Sequence, residues 1–481
     1  MRSHANCGLT ALTLVLVVAF AASCADQVPV SPQGVDVPAP SFSKKAASGQ
    51  EAEWEFLDDH VVVFKGRRPA DFADRIAALG GTVLRVHPEI HAAVVTGLTD
   101  DGAAQLAADA DISAVPRDIG VKMIPNADDI DATFKTLAAG APAPAGHDPT
   151  TASFFPFQWD MQIIDADDAW NAGYNDATGV RVAILDSGID PTHPDMAGLI
   201  DASVSVGWVP NLFSPPFPPW ADDQFHGTHV SGTVVTNGIG TSGVAPHATL
   251  IAHKVCFSTG SCSIGAIISA IMHASTVGGA DVINMSLSGF LNIPSPGGGQ
   301  LSAALNRAVN FANSRGTLVV SAAGNDAIDL DHMERDFGVN AFLLTPCESG
   351  NGMCISATGP TDALASYSNF GRSAINVAAP GGDFNGDAFA STVLSPCSNS
   401  GVLGVLQGGS CGPTSYLFLQ GTSMATPHVA GLAALIDGPS GGSLSAGQLR
   451  ARIQNGADDL GRKGADQFYG RGRINVFNSV Q

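Results

Sequence analysis

Four short apolar runs, separated by helical stretches, limit what this chain of 481 residues can fold into more than any other feature. The runs are Val180–Leu185, Leu250–Val255, Val282–Met285 and Leu318–Ser321, and the stretches Ile264–Thr276 and Leu301–Ser314 carry apolar residues at helical spacing. Strands this apolar are buried on both faces, which a parallel sheet covered by helices on both sides provides. The expected fold is α/β, three layers around a central, mostly parallel sheet. Right-handed crossovers then put ligand sites at the C-terminal ends of the strands. Composition agrees, since 45% hydrophobic and 14% charged residues make a globular chain, and the 55 Gly and 29 Pro are dispersed without a repeat. A formal net charge of −21 argues against nucleic acid or anionic lipid as partner, because both demand clustered Lys and Arg.

One large domain preceded by accessory segments is expected. Arg2 is followed by an apolar run from about Leu9 to Ala22 and then small residues, the layout of a secretory signal peptide, and the run is short for a membrane span. Its end leaves two readings open. Ala21-Ala22-Ser23-Cys24 resembles the lipidation signal of bacterial lipoproteins, with Ala21 where Leu is usual, so that Cys24 would carry the lipid. Ser23 and Ala25 also supply the small-x-small pattern for ordinary cleavage after Ala25. The signal is bounded at 1–24 and a Pro-containing linker at 25–53. The expected destination is the extracellular space or, through the lipid, the bacterial cell envelope.

Of eight cysteines, Cys7 falls in the signal and six lie beyond residue 250, which leaves Cys24 without an obvious partner. The six are near neighbours in sequence, and proximity in an oxidising compartment pairs them as Cys256–Cys262, Cys347–Cys354 and Cys397–Cys411. Zinc is disfavoured because no CxxC spacing occurs and each loop is rich in Gly or Ser.

Residues 54–123 read as a small unit in the order strand, helix, strand, strand, helix, strand. The strands are His60–Phe64, Thr82–His87, Ile90–Thr96 and Ile112–Val121; the helices are Pro69–Leu79, with Pro69 in the first turn, and Asp100–Ala110. This is the ferredoxin-like split βαβ order, an α+β arrangement that hosts many functions. A second linker follows at 124–155, whose Ala138–Ser153 part has the Ala, Pro and Gly content at which proteolytic nicking concentrates. The main domain is expected over 156–481.

Within it, VRVAIL runs directly into Asp186-Ser187-Gly188, so a carboxylate stands where a buried strand emerges into a turn. Alone, such an Asp reads as a turn former. HGTHVSG puts His226 and His229 at the start of an apolar helix, with Gly227 and Gly232 allowing close backbone approach. The pair suits a general base or a metal on one helical face, but no HExxH pattern supports metal. Ser423 in GTSMATPHVAGLAAL precedes a strongly apolar helix, where Ser is also a favoured N-cap and Pro427 suits the first turn. The strand GTLVV ends in SAAGN, whose Asn325 is a turn residue or an amide donor for a developing oxyanion.

Together and in this order, AILDSGID, HGTHVSG, SAAGN and GTSMATPHVAG resemble the motif blocks of the subtilisin-like serine peptidases. The resemblance spans roughly residues 158–481 and includes GVAPHATLIAHKV, INMSLSG and SNFG. It implies the three-layer subtilisin-like fold and a serine endopeptidase that works through an acyl-enzyme. In that chemistry Asp186 orients His226, His226 deprotonates Ser423, and the Asn325 amide with the Ser423 N–H stabilises the oxyanion. A histidine base must be neutral, so activity is expected to rise as the pH passes roughly 6–7.

The resemblance further implies Met285, Ser286, Leu287, Ser288 and Gly289, with Ala322, Ala323 and Gly324, as walls of the primary specificity pocket. Their small residues leave room for an apolar side chain before the cut. Residues 54–123 resemble, in pattern and position, the inhibitory propeptide of such enzymes, which implies a zymogen that cuts itself within about 123–155. The implied partners of this monomer are protein or peptide substrates and its own propeptide, and no cofactor is required for the chemistry. Many relatives bind structural calcium, for which Asp195, Asp222 and Asp223 are tempting oxygen donors, although VVTNGIGTSG is shorter than the usual calcium loop.

Two rival readings fit less well. A catalytically silent binding protein leaves four catalytic groups unexplained, and an α/β-hydrolase needs GxSxG and the order Ser, Asp, His, which the late GTSMA contradicts. Val206–Pro219 reads as an insertion near His226, a Pro-stiffened loop over the cleft.

Overall fold

The computed structural model describes residues 54–125, 135–136, 148–213, 216–338, 341–399, 411 and 414–481, to which every structural statement below refers. The expected signal, Cys24 and most of the second linker lie outside the described residues. Seven strands form one sheet in the spatial order Ile375–Pro380, Met353–Thr358, Leu318–Ala322, Val282–Met285, Arg181–Asp186, Thr249–Lys254 and Val206–Gly207. Every neighbouring pair is parallel.

Alternation along the central strand decides which layer each side chain meets. Val182 and Ile184 enter one apolar core with the helices His226–Val234 and Thr422–Asp437, while Ala183 and Leu185 enter a second core with Ile264–His273 and Gly298–Ser314. The result is the three-layer α/β arrangement that the apolar runs imply. Burying one such side chain contributes roughly 1.5–3 kcal/mol. On the central strand Arg181–Asp186 the two charged residues accordingly stand at its ends, where the chain enters and leaves the sheet.

The N-terminal unit is an antiparallel sheet, ordered Arg117–Lys122, Trp54–Phe64, Ala92–Thr96, Thr82–His87, with helices Phe72–Ala78 and Asp100–Ala107 packed through Phe72, Ile76 and Leu106. The expected single strand Ile112–Val121 is two strands. Ile112–Ala114 pairs with the end of the first strand and Arg117–Lys122 mainly with its beginning, since Pro116 between them has no N–H to give a ladder. Similarly, Ile90 closes a short helical turn, Pro88–Ile90. His91, at φ 52°, is left-handed, so the strand starts at Ala92. The first helix starts at Phe72, later than the expected Pro69.

Ser261–Ser263 of the main domain adds an antiparallel strand to the edge of this N-terminal sheet, beside Arg117–Lys122. Asp118 accepts from Ser263 Oγ (2.6 Å) and Gly265 N (2.9 Å), so an acid of the N-terminal unit caps the first turn of Ile264–His273. Nearby, His87 Nε2 lies 3.1 Å from Ser269 Oγ, and the Arg85 guanidinium stacks 4.4 Å from the centre of a Trp208 ring.

Burial pushes Asp118 up to about 6 and His87 down to about 4, the latter with help from Arg85. The signs oppose. The raised acid penalises docking above its pKa, and that penalty eases as pH falls below about 6. The lowered histidine penalises docking as pH falls from its free value near 6.5 toward 4, because the undocked form then takes up a proton that the docked form refuses. His87→Gln keeps a donor for Ser269 and removes only the second effect. Compared in chains that carry Ser423→Ala and so stay uncut, denaturation at about pH 7.5 and about pH 5 should show the form with His87 losing about 2 kcal/mol more than His87→Gln over that interval; equal losses would contradict a neutral buried His87.

Candidate active site

Asp186 ends the central strand Arg181–Asp186, and His226 opens the helix His226–Val234. His226 Nδ1 lies 2.8 Å from Oδ1 and 3.0 Å from Oδ2 of Asp186, with both side chains fully buried. An N–H at Nδ1 facing the carboxylate leaves Nε2 as a proton acceptor, and Nε2 has no protein partner among the described residues. Gly227 lets this approach happen, since a Cβ there would overlap the Gly188 carbonyl oxygen. The other histidine faces elsewhere. His229 Nε2 donates to Leu417 O at 2.9 Å and burial pushes its pKa down to about 3, so His226 and His229 do not form a joint metal site.

A buried network braces this pair. Ser187 Oγ donates to Asp222 Oδ1 and accepts from Gly227 N, both at 2.9 Å, which ties the residue after Asp186 to the residue after His226. Asp222 also accepts from Gln224 N (2.9 Å), Thr228 N (3.0 Å) and Thr228 Oγ1 (2.6 Å); burial raises its pKa to about 6 against the pull of these donors. From the next strand, Lys254 Nζ donates to Asp223 Oδ1 (2.5 Å), Ser187 O (2.9 Å) and Cys256 O (2.9 Å). An ammonium is tolerated here because all three protons have acceptors. Gln224 Oε1 accepts from Phe225 N (3.0 Å) and His226 N (2.8 Å), closing the start of the helix.

Ser423 sits inside the first turn of Thr422–Asp437, not at its N-cap, which is Gly421. Pro427 falls in the second turn, where its missing N–H leaves the Ser423 carbonyl without a helical partner. Ser423 Oγ donates to Ser286 O at 2.9 Å. Asn325 Oδ1 accepts from Thr422 N and Thr422 Oγ1, each at 2.9 Å, so Nδ2 is the donor left over. Thr422 Oγ1 also accepts from Gly324 N at 3.0 Å, joining a strand end to the helix start. The Ser423 N–H is a first-turn donor at the positive end of the helix.

Ser286–Ser288 follow the strand Val282–Met285, and Gly289 opens the strand Gly289–Asn292; Ala322 and Ala323 are buried before Gly324. Opposite Ser286–Gly289 stands the edge strand Ser261–Ser263. The segment Gly120–Pro125 runs between them. Met123 N and Ile124 N donate to Gly260 O (3.1 and 3.3 Å), Ser288 N reaches Met123 O at 3.5 Å, and Gln224 Nε2 donates to Pro125 O at 2.5 Å. The groove beside His226 thus holds a segment of the chain itself, the end of the strand Arg117–Lys122 and the three residues that follow it.

Disulfides join Cys256 to Cys262, Cys347 to Cys354 and Cys397 to Cys411, which leaves none of these sulfurs for zinc. The three acids proposed for calcium do not fit it. Asp195 Oδ1 accepts from Ile239 N (2.7 Å), and its Oδ2 accepts from Gly240 N (3.0 Å), Thr241 N (3.2 Å) and the Tyr416 hydroxyl (2.7 Å). Asp223 Oδ2 accepts from Leu212 N at 2.9 Å, while its Oδ1 and both Asp222 oxygens meet the donors named above. Donors aimed at a carboxylate repel a cation, and among the described residues no three His, Cys, Asp or Glu side chains group to hold a metal. The Val206–Pro219 insertion is anchored to the stretch leading into His226, through Leu212 and through Asn211 Nδ2 to Ala221 O (2.8 Å).

The Subtilase family signature matches residues 177–472. Thermitase of Thermoactinomyces vulgaris is 32% identical over 338 residues, 69% of this chain and 99% of thermitase. Subtilisin Savinase of Lederbergia lenta is 35% identical over 320 residues, 66% of this chain and 96% of its own length. Among solved structures, the epidermin leader peptide processing serine protease of Staphylococcus aureus superimposes with a TM-score of 0.68 at 23% identity, covering 88% of this chain and 97% of that one. A lanthipeptide protease gives 0.57 at 25% identity, covering 72% and 99%.

Sequence reasoning did not single out Ser187, Gln224, Lys254 or Thr422. Only Lys254 left a signal, as a charge inside the apolar run LIAHKV. Tyr416→Phe removes one of the four donors to Asp195 and should cost about 1–3 kcal/mol. Added calcium should not restore the loss in a thermal melt; restoration would mean that this carboxylate does accept the cation.

Proposed function

Because the chain belongs to the Subtilase family and is a subtilisin-like serine peptidase, we propose that it is an exported endopeptidase cutting proteins through Asp186, His226 and Ser423. Asn325 Nδ2 and the Ser423 N–H are its oxyanion donors. The observation that carries this reading is the buried His226, whose Nδ1 faces both oxygens of Asp186 while Nε2 stays unpartnered among the described residues.

For catalysis Ser423 Oγ exchanges its bond to Ser286 O for one to Nε2, the kind of tightening that substrate binding brings. His226 takes the Oγ proton as Oγ attacks the scissile carbonyl carbon, and Asp186 stabilises the imidazolium without taking the proton. The carbonyl oxygen, now negative, accepts from Asn325 Nδ2 and Ser423 N. His226 passes its proton to the leaving amine nitrogen, the C–N bond breaks, and water repeats the sequence on the acyl-enzyme with Ser423 as leaving group.

Residues 54–123 act as an inhibitory propeptide, and the enzyme frees itself by a cut within 124–155. This is supported by the segment Gly120–Pro125 lying where a peptide substrate would pair. The pocket lined by Met285–Gly289 and Ala322–Gly324 favours an apolar residue before the cut, because Ala and Gly walls supply space and no countercharge. Residues 1–24 direct export, with Cys24 as a lipid anchor where the lipoprotein route is taken, and the enzyme works as a monomer.

Intact mass and casein cleavage, followed on the unsubstituted protein and on Ser423→Ala, test the reading. Only the unsubstituted protein should lose an N-terminal piece of roughly 120–150 residues and cut casein, favouring Leu or Phe over Asp before the cut. Identical behaviour of the two would remove Ser423 as nucleophile. Asn325→Ala should lower kcat by about 10²–10³ with little change in KM, the size typical of losing one oxyanion donor.

A further inference from the structure

Val255 N and Cys256 N both donate to the main-chain carbonyl of Asp186, at 2.9 and 3.2 Å. The Cys256 carbonyl in turn accepts from the buried Lys254 ammonium at 2.9 Å. Cys256 is therefore fixed to the backbone of the very residue that orients His226. Its disulfide partner Cys262 lies in Ser261–Ser263, the short edge strand that grips the peptide in the groove, with Ser261 opposite Lys122 and Cys262 opposite Val121. Between the two cysteines the chain makes a tight hairpin, in which Gly260 N donates to Phe257 O (3.0 Å) and Phe257 N to Ser261 O (2.8 Å). Gly260, at φ +86°, turns its carbonyl onto Met123 N and Ile124 N, and a Cβ there would overlap the Ile124 carbonyl oxygen.

A three-residue edge strand is a weak template by itself, because its ordering would be charged to every peptide that binds. A cross-link to a fixed neighbour removes that cost, since the strand is held in place before the peptide arrives. Both sulfurs are buried, so the bond is part of the packed base of the groove and not an exposed staple.

We infer that the Cys256–Cys262 disulfide is a positioning element for peptide substrates. It couples the edge strand Ser261–Ser263 to the backbone of Asp186, so that residues before the cut pair in the register that brings the scissile carbonyl to Ser423. The inference rests on the triad and groove assignments proposed above. It predicts that the cross-link serves substrates long enough to reach the edge strand and matters far less to those that only enter the site of bond breakage.

The test compares a tetrapeptide anilide with a single-residue ester on the processed enzyme and on its Cys256→Ser/Cys262→Ser form. The ratio of kcat/KM for tetrapeptide over ester should fall about ten-fold in the double variant, with the loss in KM. Cys256→Ala/Cys262→Val, which refills the buried space without a cross-link, should give the same split and guards against misfolding of the serine pair. An unchanged ratio, or an equal loss of kcat on both substrates, overturns the inference. Failure of the unsubstituted enzyme to hydrolyse the ester would instead overturn the triad assignment itself.

Discussion

A strand buried on both faces is the constraint from which the rest of this molecule follows. Arg181–Asp186 has helices above and below, so its interior must be apolar and all its backbone groups must pair within the sheet. Chemistry is pushed to the end of the strand. Asp186, Ser286 and Asn325 stand at or just beyond the ends of three adjacent parallel strands, and neighbouring strands lie about 4.8 Å apart. Parallel direction puts these ends on one edge, and the helices starting at His226 and Thr422 supply the imidazole and the hydroxyl.

Placing so many charges out of water is tolerable only because each meets its complement. Asp186 faces an imidazole and Asp222 accepts from a serine, a threonine and two backbone N–H groups. Asp223 takes the buried Lys254 ammonium, whose other two protons go to backbone carbonyls. Breaking one buried partnership leaves an unpaired group, at about 3–5 kcal/mol for an ion pair. The network is stiff for that reason. It also reaches outward, because Lys254 and Cys256 connect Asp186 to the hairpin on which the N-terminal strand lies.

The layers and the strand ends were legible in the sequence because apolar runs report double burial directly, and Val282–Met285 matches its observed bounds. Local punctuation was less legible. Pro116 splits a strand whose apolar pattern is continuous across it, and Pro427 sits a turn deeper than a helix-start proline because Gly421 and Thr422, not Ser423, begin the helix. Ser187, Gln224 and Thr422 could not be found by periodicity, since each acts through hydrogen bonds and not through an apolar face, and the bonds of Ser187 to Asp222 and of Thr422 to Asn325 join residues distant in the chain. The shortened VVTNGIGTSG loop was visible, but its consequence was not: backbone N–H groups from that loop, with Tyr416, fill the Asp195 carboxylate.

The most direct test of the account is covalent labelling with a fluorophosphonate, which reacts only with a serine whose proton is being withdrawn. Peptide mapping of the processed protein should find the label on Ser423 alone, and His226→Ala and Asp186→Asn should each suppress it by orders of magnitude at neutral pH. Labelling of another serine, or undiminished labelling of Ser423 without His226, would contradict the assignment of this strand edge as the site where peptide bonds are cut.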